Sequence, residues 1–61
     1  MEIVKPLKAF REQAGLSQQQ LGESIGVTRQ TVAAWEAGDR QPSLANLTKI
    51  ARVLGISVDL L

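Results

Sequence analysis

The chain has 61 residues, a formal net charge of +1 and 44% hydrophobic residues, and it contains neither cysteine nor histidine. This length predicts one small domain, and the lack of cysteine excludes disulfide bonds and thiolate metal sites. Without histidine, and with no carboxylates paired at a suggestive spacing, we expect no enzyme, no metal site and no other cofactor. The apolar runs are far shorter than the roughly 20 residues that span a bilayer, so we expect a cytoplasmic protein.

Glycines divide the chain into short segments whose apolar residues recur with a helical period. The pattern predicts a first helix over about 4–13. Leu7, Phe10 and Ala14 form its apolar stripe. Gly15 follows where the end of a helix favours a positive φ.

Two helices joined by a very short turn are predicted within about 18–37. Ser17 is expected to cap the second helix, and Gln20, three residues later, completes a capping box. Thr28 is expected to cap the third helix, and Gly22 provides the small residue that a close helix crossing requires. The residues of this unit that we expect in the core are Leu21, Ile25, Val27, Val32 and Trp35. The tryptophan is interpreted as a core residue rather than as a platform for stacking bases.

A fourth helix of about 44–54 is predicted after the polar loop DRQPS, with Ser43 as its cap. Its core-facing residues are expected to be Leu44, Leu47, Ile50, Ala51 and Leu54. Ser57 is a candidate cap for a fifth short helix that reaches Leu61. Because no segment alternates in the manner of a strand, we predict an all-α fold of five short helices in one domain, 1–61.

Three segments carry a specific combination of apolar anchors and turn glycines, namely GLSQQQLGESIGVTRQTVAAWEAG at 15–38, PSL at 42–44 and VLGISVDLL at 53–61. Together they resemble the helix-turn-helix domains of the Xre family, which includes the lambdoid phage repressor and Cro. The resemblance covers nearly the whole chain and implies a lambda-repressor-like fold. It also implies a transcriptional regulator, with a repressor as the favoured role, whose third helix, about 29–37, lies in the major groove of double-stranded DNA.

The start of this recognition helix carries side chains that suit base edges. Arg29 and Gln30 stand where the motif contacts bases, and arginine pairs with guanine as glutamine pairs with adenine. Ala33 and Ala34, one turn further on, would allow the helix to approach the groove and touch a thymine methyl group. Alanine is also simply the best helix former, which is the alternative interpretation. We expect base contacts from Arg29, Gln30, Ala33 and Ala34.

Gln18 matches the position at which the Xre family binds a DNA phosphate through an amide, and the start of a helix attracts an anion. The other candidates for phosphate contacts are Gln19, Thr28, Thr31 and Arg40.

The resemblance further implies that Arg11 and Glu36 form an internal ion pair between the first and third helices. Asp39 departs from many phage members, so a minor-groove contact from its loop is not expected.

One such module makes few base contacts, so we expect a homodimer on a pseudo-palindromic operator, with recognition helices about 34 Å apart. The C-terminal residues Ile56, Val58, Leu60 and Leu61 would form the dimer surface or, equally, cover the core.

Two other functions use the same fold. A protein-interaction module, as in adaptors and co-activators, would bind its partner through Ala33 and Ala34, and an antitoxin would repress its operon and bind a toxin. Steep weakening by salt would distinguish DNA binding.

Overall fold

The architecture comes from a computed structural model that describes the backbone of residues 4–61 and the side chains of residues 7–61. Four α-helices precede a 3₁₀ turn: α1 is Val4–Gln13, α2 is Gln18–Ile25, α3 is Arg29–Ala37, α4 is Leu44–Leu54, and the turn is Val58–Leu60. The described residues contain no strand, which confirms the all-α prediction, and the predicted bounds of α1 and α4 agree with those observed. The first three residues of the predicted domain lie outside this description.

The prediction of five helices is wrong in its last member, which is a single 3₁₀ turn. Its backbone hydrogen bonds reach only three residues back. The N–H of Leu60 donates to the carbonyl of Ser57 at 3.0 Å, and that of Leu61 donates to the carbonyl of Val58 at 3.1 Å. The Ser57 hydroxyl oxygen accepts from the N–H of Asp59 at 3.3 Å and so caps the turn as predicted. Turns closed by such bonds are tighter than an α-helix and are normally short.

The predicted caps of α2, α3 and α4 are all present. The Ser17 hydroxyl oxygen accepts from the backbone N–H of Gln20 at 3.0 Å, and the Gln20 side-chain oxygen accepts from the N–H of Ser17 at 2.8 Å, which completes the capping box. Thr28 and Ser43 each accept, at 3.1 Å, from the backbone N–H three residues later. These local bonds define where each helix begins.

The core is formed by apolar side chains from all four helices. Its buried members are Leu7, Leu21, Ile25, Val32, Trp35 and Ile50. α3 packs against α1 and α2, whereas α4 packs against α2 and the 3₁₀ turn. Trp35 is only 3% exposed, which confirms its interpretation as a core residue. None of the described helices combines the length and apolar character needed to cross a membrane.

Two residues predicted to face the core are exposed instead. Ala14 follows the last residue of α1, and its N–H still donates to the carbonyl of Phe10 at 3.0 Å, so it keeps the helical phase but lies at the exposed end of the helix. Leu44 is 75% exposed, although helical geometry places it on the same side of α4 as Ala51. It is the first residue of the helix, and the side chains of α4 become fully buried only at Ile50 and Ala51. Position along the helix axis therefore decides burial here as much as the helical face does.

The backbones of α2 and of the turn before α3 meet at Gly22. A Cβ atom added to this buried residue would lie 2.7 Å from the carbonyl oxygen of Val27 and 3.3 Å from the carbonyl carbon and oxygen of Thr28. These neighbours are backbone atoms, and Thr28 is held in place as the cap of α3. They cannot move aside as a flexible side chain would, so the close approach requires glycine.

We expect Gly22→Ala to destabilise the protein by about 1–3 kcal/mol, because overpacking outweighs the gain of roughly 1 kcal/mol that alanine usually brings to a helix interior. In a domain of this size, Tm should fall by about 4–8 °C per kcal/mol. Thermal unfolding followed by circular dichroism measures the change. Ser24→Ala, at an exposed position of the same helix, is the control and should change Tm little. An unchanged or higher Tm for Gly22→Ala would show that the backbone accommodates the added Cβ atom without loss of stability.

Candidate nucleic-acid interface

α2 and α3 form a helix-turn-helix whose turn, residues 26–28, is anchored at two points. Gly26 ends α2 in a left-handed conformation with φ of 79°. The N–H of Val27 then donates to the carbonyl of Gly22 at 2.9 Å, and the Val27 side chain packs against the core. Backbone and side chain together therefore set the direction in which α3 leaves the turn.

α3 has a buried side and an exposed side. Val32 and Trp35 are buried, whereas Arg29 and Gln30 are exposed in its first turn. None of the hydrogen bonds or ion pairs among the described side chains involves Arg29 or Gln30. A guanidinium and a carboxamide are therefore exposed to solvent without a partner among the described side chains, and both groups are able to recognise base edges.

The surface beside these two polar side chains is formed by alanines. Ala33 and Ala34 are half-buried, and Ala37 is exposed. Ala37 was not predicted as a site residue, yet it follows Gln30 by seven positions and so lies on the same side of α3, two turns away. That spacing is the sequence signal that would have found it. The three methyl groups give α3 a shallow outer surface that another molecule could approach closely.

The candidates for phosphate contacts differ in their exposure and in whether their side chains make intramolecular hydrogen bonds. Gln19, Thr28 and Arg40 are exposed, and Thr31 is half-buried. The Gln19 amide donates to the Glu23 carboxylate at 3.3 Å. The Thr28 hydroxyl oxygen accepts from the N–H of Thr31 at 3.1 Å and lies 2.9 Å from the Thr31 hydroxyl oxygen. Thr28 therefore acts as a helix cap in this structure, while Arg40 has no partner among the described side chains.

A buried network connects α1, α2 and α3. The Arg11 Nε donates to Glu36 Oε2 at 2.6 Å, and Arg11 Nη2 donates to Glu36 Oε1 at 3.1 Å, so the ion pair is bidentate. The third guanidinium nitrogen, Nη1, donates to the carbonyl of Leu16 at 2.7 Å. Gln18 adds a fourth bond, from its Nε2 to Glu36 Oε1 at 3.0 Å. The side chains of Arg11 and Glu36 are 9% and 5% exposed, so solvent screens their attraction little.

The network shifts the pKa values of both charged partners. Burial alone would raise the pKa of the Glu36 carboxyl, but the hydrogen bonds from Arg11 and Gln18 outweigh it and hold that pKa below its ordinary value. The hydrogen bond to Glu36 raises the pKa of the Arg11 guanidinium against the opposing effect of its burial. Both groups are therefore charged at neutral pH, and each satisfies the other.

A sequence model of the helix-turn-helix family matches residues 7–61. The uncharacterized HTH-type transcriptional regulator YgzD of Bacillus subtilis (strain 168) is 47% identical over 53 residues, which are 87% of this chain and 80% of YgzD. The SPbeta prophage-derived uncharacterized HTH-type transcriptional regulator YonR of the same bacterium is 42% identical over 55 residues, which are 90% of this chain. This chain spans only 51% of YonR.

Solved structures with the same fold include regulators and an enzyme. The P22 c2 repressor, solved with a synthetic operator, has a TM-score of 0.90 and 27% identity, and the match covers 100% of this chain and 94% of the repressor. The restriction-modification controller protein C.AhdI from Aeromonas hydrophila has a TM-score of 0.88 and 34% identity, with 95% of this chain and 84% of that protein covered. Hydroxypropylphosphonic acid epoxidase from S. wedmorenis, with a TM-score of 0.89 and 39% identity, matches 98% of this chain over only 32% of its own length.

The lowered pKa of Glu36 predicts a loss of stability in acid. In the unfolded chain this carboxyl has a pKa of about 4.3, so between the folded and unfolded values the unfolded state binds more protons. Stability is therefore complete above about pH 4.3 and falls as the pH drops through the folded value. We expect Tm to fall less steeply in acid for Glu36→Gln than for the wild type, when Tm is measured by circular dichroism from neutral pH downward. Glu23→Gln, which leaves the network intact, is the control. Equal acid sensitivity of wild type and Glu36→Gln would contradict the prediction.

Proposed function

This chain belongs to the helix-turn-helix family of transcriptional regulators, and we propose that it is a repressor that binds a specific operator in double-stranded DNA. The observation that carries the proposal is the outer side of α3. There Arg29 and Gln30 are exposed and free of partners among the described side chains, beside a surface of small alanines. The repressor of phage P22 has the same fold and was solved with an operator, which supports this role.

In this proposal α3 lies in the major groove. Arg29 would donate to guanine O6 and N7, and Gln30 would bond to adenine N6 and N7. Ala33 and Ala34 would let the helix axis approach the bases, and Ala37 would extend the same apolar surface by one turn. The proposal also assigns the protein to the cytoplasm, together with its operator.

The DNA backbone would be contacted from both ends of the helix-turn-helix. At the start of α2, the amides of Gln18 and Gln19 would bind phosphate, assisted by the partial positive charge of the helix terminus. Thr28 and Thr31 would offer hydroxyl groups near the start of α3. Arg40, exposed in the loop after α3, would add a charged contact. These contacts would set the register of α3 on the duplex without reading its sequence.

The proposal includes a homodimer formed through an apolar patch of Val53, Val58 and Leu60. These side chains are 38%, 37% and 52% exposed, and the helix that carries Val53 packs against the 3₁₀ turn that carries the other two. Of the other residues predicted for this role, Ile56 is half-buried and Leu61 packs against the core. Two-fold symmetry would double the number of base contacts and match an operator with inverted half-sites.

Selection of binding sites from random duplex DNA, at near-physiological salt, tests the function. We expect enrichment of two inverted half-sites whose centres are about one helical turn, or roughly 34 Å, apart. Affinity for the selected duplex should fall steeply with salt, because each neutralised phosphate releases counterions. If protein shown to be folded enriches no sequence, the proposal is wrong and the outer side of α3 should be tested for a protein partner instead.

Repeating the selection with Gln30→Ala identifies what α3 reads. This variant should lose preference at one base position in each half-site, at a cost of about 1–3 kcal/mol for the preferred base. Gln13→Ala removes an exposed glutamine from the end of α1 and should leave the base preference unchanged. An unchanged base preference in Gln30→Ala would show that Gln30 does not recognise a base.

Sedimentation analysis of two leucine variants tests the dimer. We expect Leu60→Glu to abolish self-association and cooperative occupancy of the two half-sites, because a charge would be buried in the interface. Leu44→Glu is the matched control: its leucine is more exposed, at 75%, but lies at the opposite end of α4 from Val53. Equal behaviour of the two variants would show that the patch is not the interface.

A further inference from the structure

The Gln18 side chain lies between the proposed DNA interface and the buried ion pair. We propose that Glu36 is a positioning residue for DNA binding, which holds the Gln18 carboxamide in the orientation that meets a phosphate. The inference rests on the proposed function and extends it, since it gives the ion pair between α1 and α3 a role at the protein surface. Glu36 itself would touch no DNA.

Glu36 is fixed at both carboxylate oxygens. Oε2 accepts from Arg11 Nε, and Oε1 accepts from both Arg11 Nη2 and Gln18 Nε2. Arg11 is in turn fixed by the carbonyl of Leu16, the residue that precedes the cap of α2. A flexible glutamine at the first position of a helix thus has its carboxamide bound to an acceptor that cannot rotate. The entropy of that side chain is therefore lost when the protein folds rather than when it binds DNA.

Hydrogen-bond donors remain free beside this fixed carboxamide. A carboxamide has two N–H hydrogens, and Glu36 accepts only one. The capping box satisfies the backbone N–H of Gln20, and Leu21 begins the helical ladder by donating to the carbonyl of Ser17. No hydrogen bond among the described residues uses the backbone N–H of Gln18 or Gln19. The second amide hydrogen and two backbone N–H groups are therefore available together at the start of α2.

The ion pair also balances the negative charge beside Gln18. A carboxylate oxygen 3.0 Å from Gln18 Nε2 would repel a phosphate bound on the other side of that amide. The bidentate guanidinium of Arg11 neutralises this charge locally, so the carboxylate orients Gln18 without opposing the anion. Removal of Glu36 alone would leave Arg11 unpaired and would add positive charge near the DNA. A test must therefore separate the orientation of Gln18 from this change in charge.

A double-mutant cycle on the selected duplex provides that separation. Arg11→Met/Glu36→Met replaces the pair by apolar side chains of similar length without leaving a lone buried charge, a type of change that proteins often tolerate. We expect Gln18→Ala to weaken binding about tenfold in the wild-type background, as for a hydrogen bond to a charged group, and less than about twofold in the pair-replaced background. Glu36→Gln keeps an acceptor at the same position, so in that background the penalty for Gln18→Ala should return.

The adjacent glutamine provides the matched control. Gln19 donates to Glu23 and not to Glu36, so Gln19→Ala should cost the same in the wild-type and pair-replaced backgrounds. Melting curves for every variant establish that binding is measured on folded protein. An equal, additive penalty for Gln18→Ala in both backgrounds would overturn the positioning role while leaving DNA binding established. A folded wild type that binds no duplex would overturn the proposed function itself.

NMR spectroscopy of the free protein tests the hydrogen bond from Gln18 to Glu36 without DNA. In ¹⁵N–¹H spectra of the free protein, one side-chain amide proton of Gln18 should be shifted downfield of the corresponding proton of an exposed glutamine, because it donates to a carboxylate while the other faces solvent. In the pair-replaced variant both protons should return to the shifts of an exposed glutamine such as Gln41. Exposed-type shifts for Gln18 already in the folded wild type would overturn the inference, whatever the outcome with DNA.

Discussion

The outer side of α3 depends on the close approach of two backbones at Gly22. Because α2 has no Cβ there, the turn at 26–28 folds back until the N–H of Val27 bonds to the carbonyl of Gly22. α3 then leaves the turn in the direction that buries Val32 and Trp35. The opposite side of the same helix is thereby exposed. Packing and the candidate interface thus have one geometric origin, and a change at Gly22 would affect both.

The ion pair between Arg11 and Glu36 constrains the same unit from the side of α1. Desolvation of two charges is costly, and a buried pair commonly adds little net stability. Its hydrogen bonds nevertheless reach three separate places: α3 through Glu36, the start of α2 through Gln18, and the carbonyl of Leu16 before the cap. What such a network contributes is relative orientation of three segments, which nonpolar packing alone specifies less strictly.

Features decided within one turn of helix could be predicted from the sequence. The caps at Ser17, Thr28 and Ser43 are examples, because capping joins residues at most three apart. The partner of Gln18 could not be predicted in this way, since Glu36 is 18 residues distant and meets it only after α2 and α3 have packed. Leu44 illustrates a second limit. Periodicity indicates the side of a helix that faces the core, but not how far the neighbouring helices extend along its axis.

The candidate site shows the same division. The exposure of Gln30 follows from its position opposite Val32 and Trp35, so periodicity was sufficient there. Arg29 lies three residues before Val32 and is exposed as the first residue of α3. The pairing of Arg11 with Glu36 was implied by family resemblance, because nothing in their spacing of 25 residues indicates a contact. Which base each side chain would meet depends on docking angle and DNA shape, which neither the sequence nor the free protein contains.

The separation of the two sides of α3 affects how the protein could evolve. Arg29, Gln30 and Ala37 are exposed and make no contribution to the buried cluster, and substitutions at such positions usually change stability by less than about 0.5 kcal/mol. Duplicated copies of this chain could therefore diverge in the DNA they recognise while inheriting the same folded body. New regulatory circuits would then arise from a few codons in one helix, without a period in which the protein is too unstable to function.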